Sequence, residues 1–169
     1  MDHSLLAEEF KARAIHHCQW NLERINRCIA LVDEEELWFR YNENSLSLGN
    51  QLLHLAGNLR QWIVHSLGGL PDERERSAEF AAEGGIDKAS LMKRLESVVS
   101  SCVTAIEGLG EAELLRIRDV QAYTLSGAAA LLHAVEHFSY HTGQIIQLTK
   151  LIKNQSLNFY GGQALDTTN

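Results

Sequence analysis

The sequence predicts an all-α protein, a four-helix bundle with long interhelical connections. Three observations predict it. Four stretches carry apolar residues at three- and four-residue steps, the period of an amphipathic helix. Strand-like alternation is scarce, and proline occurs once. No internal repeat is visible, and 169 residues favour one domain. Amphipathic helices of that kind bury their stripes only against one another, which is the logic of a bundle. The bundle is expected over residues 1–153, with a lightly ordered C-terminal extension over 154–169.

The first helix is expected from about Ser4 to Leu31. Leu5, Leu6, Phe10, Ala14, Ile15, Cys18, Leu22, Ile25 and Ile29 form its stripe, and Ser4 suits its N-cap. His16 and His17 are neighbours, so both cannot face the core. Asp33-Glu34-Glu35-Glu36 then reads as a solvated connector leading into a new turn. A second helix is expected from Asn44 or Ser45 as cap to about Leu67. Leu48, Leu52, Leu55, Leu59, Trp62 and Ile63 are its apolar face; Gly68-Gly69 and Pro71 end it. Ser47, Gln51, His54, Asn58, Gln61 and His65 form a separate polar stripe. Pattern alone turns that stripe to water, although it can equally line a polar cleft inside a bundle.

Residues 72–85 are charged, then rich in Ala and Gly, and read as a long connection. Asp87 suits the N-cap of a third helix running to about Gly108, with Leu91, Leu95, Val98, Val99, Cys102, Val103 and Ile106 inward. Residues 111–123 leave room for one short helical turn. Thr124 or Ser126 caps the fourth helix, which runs to about Lys153. Its stripe is Leu131, Leu132, Val135, Phe138, Ile145, Leu148, Leu151 and Ile152. The three connections are longer than the two to eight residues usual in bundles. An up-down-up-down order therefore does not follow.

Composition bounds the partners. The formal net charge is −7 and no Lys/Arg cluster stands out. Such a surface repels nucleic acid and anionic membranes on average. Cys18, Cys28 and Cys102 are odd in number and widely spaced, as expected of reduced, buried thiols. The N-terminus lacks a signal-peptide pattern and no apolar run is long enough to span a bilayer. A cytoplasmic location is expected.

The chemistry concentrates in the fourth helix, where His133, His137 and His141 recur every four residues on one face. One reading is a packed or surface row of rings. A second is His133-Ala134-Val135-Glu136-His137 as an inverted zincin motif with Glu136 as base, but only 28 residues follow His141 to supply the distant ligand such proteases need. The third takes His137 and His141 as two nitrogen ligands of one metal, with another helix supplying a third. His54 is the best donor because of its polar stripe. His65 and His17 are reserves, and Cys18 and Cys102 are softer alternatives for zinc.

Leu53-His54-Leu55-Ala56-Gly57-Asn58-Leu59-Arg60-Gln61-Trp62-Ile63, followed by Glu136-His137-Phe138-Ser139-Tyr140-His141-Thr142-Gly143-Gln144-Ile145, resembles the DinB/YfiT-like superfamily of metal-dependent enzymes. The resemblance spans about residues 5 to 153 and includes the acidic connector Glu36-Leu37-Trp38. It implies a four-helix bundle that is often dimeric. It carries the metal ligands onto His54, His137 and His141, and leaves His133 without such a role. It implies a divalent ion (Zn, Ni, Mn or Fe) and, by analogy with relatives, a low-molecular-weight thiol used in S-transfer or isomerisation of a small-molecule substrate. The alternative is a noncatalytic metal- or ligand-binding dimeric helical bundle. No residue is assigned a catalytic role.

Each ligating imidazole needs its other ring nitrogen held by an acceptor. Gln51, Asn58, Gln144 and Glu136 have suitable spacing. Tyr140, Trp62, Trp20 and Trp38 are the aromatics available to wall a pocket, each also suited to core packing. Gly143 reads as a point of close helix approach. A homodimer is expected, because Leu37, Trp38, Phe39 and Phe159 lie in segments between or beyond the helices and are costly to expose.

Overall fold

The structure is a computed structural model that describes residues 3–163. The side chain of Ser4, and with it the expected Ser4 cap, lies outside the described residues, as do positions 164–169 of the extension. Helix α1 spans His3–Ile29, α2 Glu34–Trp38, α3 Leu48–Leu59, α4 Arg76–Ala81, α5 Lys88–Glu107, α6 Glu111–Leu115 and α7 Gly127–Lys153. Strands β1 (Ile117–Val120) and β2 (Tyr123–Ser126) form an antiparallel hairpin before α7. Helix α1 packs on α5 and α7, and α3 packs on the same two, so four long helices close a ring around one core. Three short helices and the hairpin occupy the connections. Among the described residues no helix is long and apolar enough to cross a membrane.

Local sequence explains the boundaries. Asp33 caps α2 in a reciprocal capping box with Glu36, so the acidic run is a helix start. Ser47, not Asn44 or Ser45, caps α3 in a second box with Asn50. Asp87 caps α5 and Ser126 caps α7, each through its side-chain oxygen. Asn154 takes the left-handed conformation, φ 49°, where α7 ends. The second long helix does not stay α-helical to Leu67. Over Arg60–His65 it widens into a π-helical turn, with Ser66 N–H donating to the Gln61 carbonyl five residues back.

Two expectations about coverage change. The Leu37 side chain is fully buried, and Trp38 lies against Gly49, donating its indole N–H to the Ile86 carbonyl. A Cβ on Gly49 would sit 2.8 Å from the Trp38 ring, so glycine is what lets α2 seat on α3. Phe159 is half-buried beneath the guanidinium groups of Arg24 and Arg27. Of the four residues that motivated a dimer, only Phe39 remains substantially exposed, at 49%. Gly143 meets nothing within 4 Å of its would-be Cβ and faces open space, so it mediates no helix approach.

Candidate metal centre

His54 is buried, His141 is buried and His137 is half-buried, and the three meet where α3 faces α7. One nitrogen from each lies within 4.8 Å of the other two. The i, i+4 spacing on α7 presents two rings side by side, with centroids 4.4 Å apart. His54 closes the triangle, its Nε2 2.9 Å from Nε2 of His137. The polar stripe of α3 therefore does not face water. Ser47, Gln51, His54 and Asn58 are all buried, lining the bundle interior.

The hydrogen bonds fix two tautomers. His54 Nδ1 lies 3.0 Å from Oε2 of Glu79. A carboxylate only accepts, so Nδ1–H donates, and the neutral ring then carries its lone pair on Nε2. Arg74 Nη2 also lies 3.3 Å from that Nδ1. A protonated Nδ1 cannot accept, so this contact is proximity alone. On the other side, His141 Nδ1–H donates to Oε1 of Gln51 in a short contact. Gln51 Nε2–H donates in turn to Gln144 Oε1 at 2.9 Å. His141 thus also presents Nε2. In the metal-free form the remaining Nε2 proton belongs to His137, which donates it to His54.

Burial, then the neighbouring His141, His54, His133 and Arg74, pulls the His137 imidazole down to about 3. Burial, then His54, pulls His141 down to about 4. Both rings are neutral at pH 7, the protonation state a metal ligand requires. Glu79 is the counterpart. Burial raises its carboxyl, but hydrogen bonds from Arg74 and His54 outweigh that and hold it below the usual carboxylate range.

Glu79 and Arg74 are the residues that sequence reasoning missed. They lie in the segment read as a featureless connection, where α4 forms and places Glu79 on His54. Phe80, next in the same helix, packs its ring 4.9 Å from the His54 ring. Of the acceptors expected by spacing, Gln51 holds a ligand directly and Gln144 supports Gln51. Asn58 Oδ1 is buried with no partner among the described residues. Glu136 is exposed and lines a groove against α1, away from the cluster.

The reserve ligands stand elsewhere. His65 Nδ1 faces the Leu70 carbonyl at 2.6 Å, and His17 lines the α1–α7 groove. Cys18 and Cys102 are sealed in the core; burial pushes the Cys18 thiol to about 12 and Cys102 well above its usual value. His133 packs on Trp62, with centroids 4.0 Å apart and the rings tilted, and the Tyr123 ring from the hairpin lies 6.0 Å from Trp62. Trp62 therefore walls the neighbourhood of the cluster, whereas Trp20 stacks on His16 and Trp38 seats α2. A cavity of about 660 Å³ opens beside His141 and Gln51; Asn44, Tyr140, Gln144 and Gln147 also line it.

The fold and the cluster together make this a helical-bundle protein with a candidate metal site between facing helices. The chain belongs to the family described as "Protein of unknown function (DUF1572)", a DinB-like family, matched over residues 6–160. Three crystal structures share the fold. A DinB-like protein of Bacillus subtilis, YjoA, has a TM-score of 0.67 at 18% identity, covering 88% of this chain and 97% of that one. A conserved protein of Enterococcus faecalis has a TM-score of 0.65 at 19% identity, covering 92% and 99%. A DinB-like protein of Bacillus cereus has a TM-score of 0.64 at 17% identity, covering 80% and 87%. No curated protein matches the sequence.

Proposed function

We propose that the protein is a divalent-metal-dependent enzyme that joins a small thiol to an electrophilic small molecule, with His54, His137 and His141 as the metal ligands. The observation that carries this reading is the pre-set chemistry of the cluster. Three imidazoles converge, and two already point Nε2 inward because Glu79 and Gln51 hold their other nitrogens. A divalent ion in such a site keeps its full charge and lowers the pKa of a bound water or thiol.

Among the described residues no fourth His, Cys, Asp or Glu joins the cluster. A structural zinc site is usually closed by four protein ligands, whereas a catalytic site keeps a position for substrate. That favours catalysis over the noncatalytic bundle. The cavity beside His141 gives a small molecule room to approach, and apart from Tyr140 and His141 its lining carries no ionisable group. The chain's own thiols are buried, so the thiol in this reaction is a co-substrate. Its sulfur bonds to the electrophilic carbon, the departing group takes the electron pair, and the thiol proton passes to solvent. The test is a screen of bacillithiol, mycothiol, glutathione and cysteine against epoxides and chloro-nitro-aromatics. Conjugation that needs added metal is expected for at least one pair. Its absence from every pair would favour the binding bundle.

We also propose a homodimer, through the exposed apolar surface of α1 and α7. Leu5, Leu6 and Leu132 are 68%, 73% and 59% exposed, and Phe10 lines both grooves that adjoin them. A second copy would cover that surface. Light scattering at about 50 μM, suited to a micromolar interface, is expected to give twice the monomer mass. The double variant Leu6→Glu, Leu132→Glu should give one; wild-type protein that scatters as a monomer removes the proposal.

A further inference from the structure

We infer that Glu79, clamped by Arg74 and admitted by Gly57, is the positioning residue that sets the tautomer and aim of His54 and so governs metal affinity. The inference rests on the metal reading above but is carried by its own geometry. Arg74 grips the carboxylate with two hydrogen bonds, Nε to Oε1 at 2.7 Å and Nη2 to Oε2 at 2.8 Å. Both side chains are almost fully enclosed, 2% and 5% exposed. A buried ion pair with this fork geometry has one orientation, and the free lone pair on Oε2 points at His54.

Gly57 makes the approach possible. A Cβ there would lie 1.9 Å from Glu79 Oε1 and 2.8 Å from its Cδ. The carboxylate occupies the space that any other residue at position 57 would fill. Gly57 lies three residues beyond His54 on α3, so the gap and the ligand are one helical turn apart. Arg74 is fixed from a further side, donating from Nη1 to Gln61 Oε1 at 2.9 Å; Gln121, at the turn of the hairpin, donates to the same oxygen at 2.7 Å. A buried carboxylate is costly unless something needs it, and its one partner besides Arg74 is the imidazole.

The chemical consequence is specific. Without an acceptor at Nδ1, His54 can protonate Nε2 instead and turn a donor N–H towards the cluster. Outer residues of this kind typically change metal affinity by 10–100-fold. The experiment uses full-length protein and two readouts. Nitrogen-15 spectra of the metal-free protein report the His54 tautomer, and titration with Zn²⁺ against a chromophoric chelator reports affinity.

Wild-type protein is expected to show the Nδ1–H form. Gly57→Ala keeps every polar group yet displaces the carboxylate. Arg74→Met with Glu79→Leu removes both charges and the acceptor together, which guards against misfolding from an orphaned ion. Each variant is expected to lose the tautomer preference and bind Zn²⁺ about 10–100-fold more weakly. Unchanged tautomer and affinity in both variants overturn the inference. If wild-type protein shows the tautomer and loses it in both variants but never binds Zn²⁺, the positioning role stands and the metal reading fails.

Discussion

Single substitution of His54, His137 or His141 by alanine is expected to take the purified protein from about one equivalent of divalent metal per chain to nearly none. Zinc in proteins is held by three or four side chains. Two imidazoles cannot hold it against water, and the surroundings offer no substitute. Glu79 lies on the Nδ1 side of His54, engaged by Arg74. Controls follow from the same geometry. His133→Ala should retain metal, since that ring packs on Trp62. His65→Ala should too, because His65 faces the Leu70 carbonyl, as should His16→Ala on the exposed side of α1. Elemental analysis of protein prepared without a metal-affinity tag decides the matter. Full metal content in all three ligand variants removes the site; loss on His65→Ala alone moves it.

Proton competition at His137 and His141 should cost almost nothing in metal affinity between pH 7 and about pH 5, measured by Zn²⁺ titration. At pH 5 an imidazole of ordinary pKa, near 6.5, is about thirtyfold protonated over its free form, so two of them would cost roughly a thousandfold in affinity. His137 at about 3 and His141 at about 4 are still neutral there. Protons therefore do not compete for those two nitrogens until the solution is far more acidic. The cost appears in folding instead. The unfolded chain protonates both rings below about 6.5 while the folded chain does not, so it binds more protons. Metal-free protein is expected to be most stable above about 6.5 and to lose stability as pH falls towards 4 and then 3. Urea midpoints of the metal-free protein at pH 7 and 5 check the second half. A thousandfold drop in affinity at pH 5 would show that the rings titrate as ordinary surface histidines.

Much of this site could be read from the sequence because it follows short-range rules. His137 and His141 share a face through one turn of helix, and Asp87 and Ser126 cap their helices through contacts three residues long. The rest depends on tertiary placement. Glu79 is one charge in a run of charges, and nothing local distinguishes it from Glu73 or Glu75. What singles it out is the empty Cβ position of Gly57, more than twenty residues away. Helix α4 has six residues, too few to show a period. Periodicity also cannot say which way a polar stripe turns. Gln51, His54 and Asn58 look like a wet face until α7 supplies the opposing rings. The hairpin was missed because its strands are four residues each, too short for alternation to stand out.

The sealing of Cys18, Cys28 and Cys102 makes the molecule a gauge of its own breathing. All three side chains have 0% exposure and sit on α1 and α5, two of the four walls of the bundle. An alkylating reagent meets them only when those walls part. The rate at which native protein is modified therefore counts opening events, and its dependence on reagent concentration separates how often the bundle opens from how long it stays open. Cys28 lies near the C-terminal end of α1 and Cys102 in the last two turns of α5. Unequal labelling of the two would locate the part of the core that loosens first.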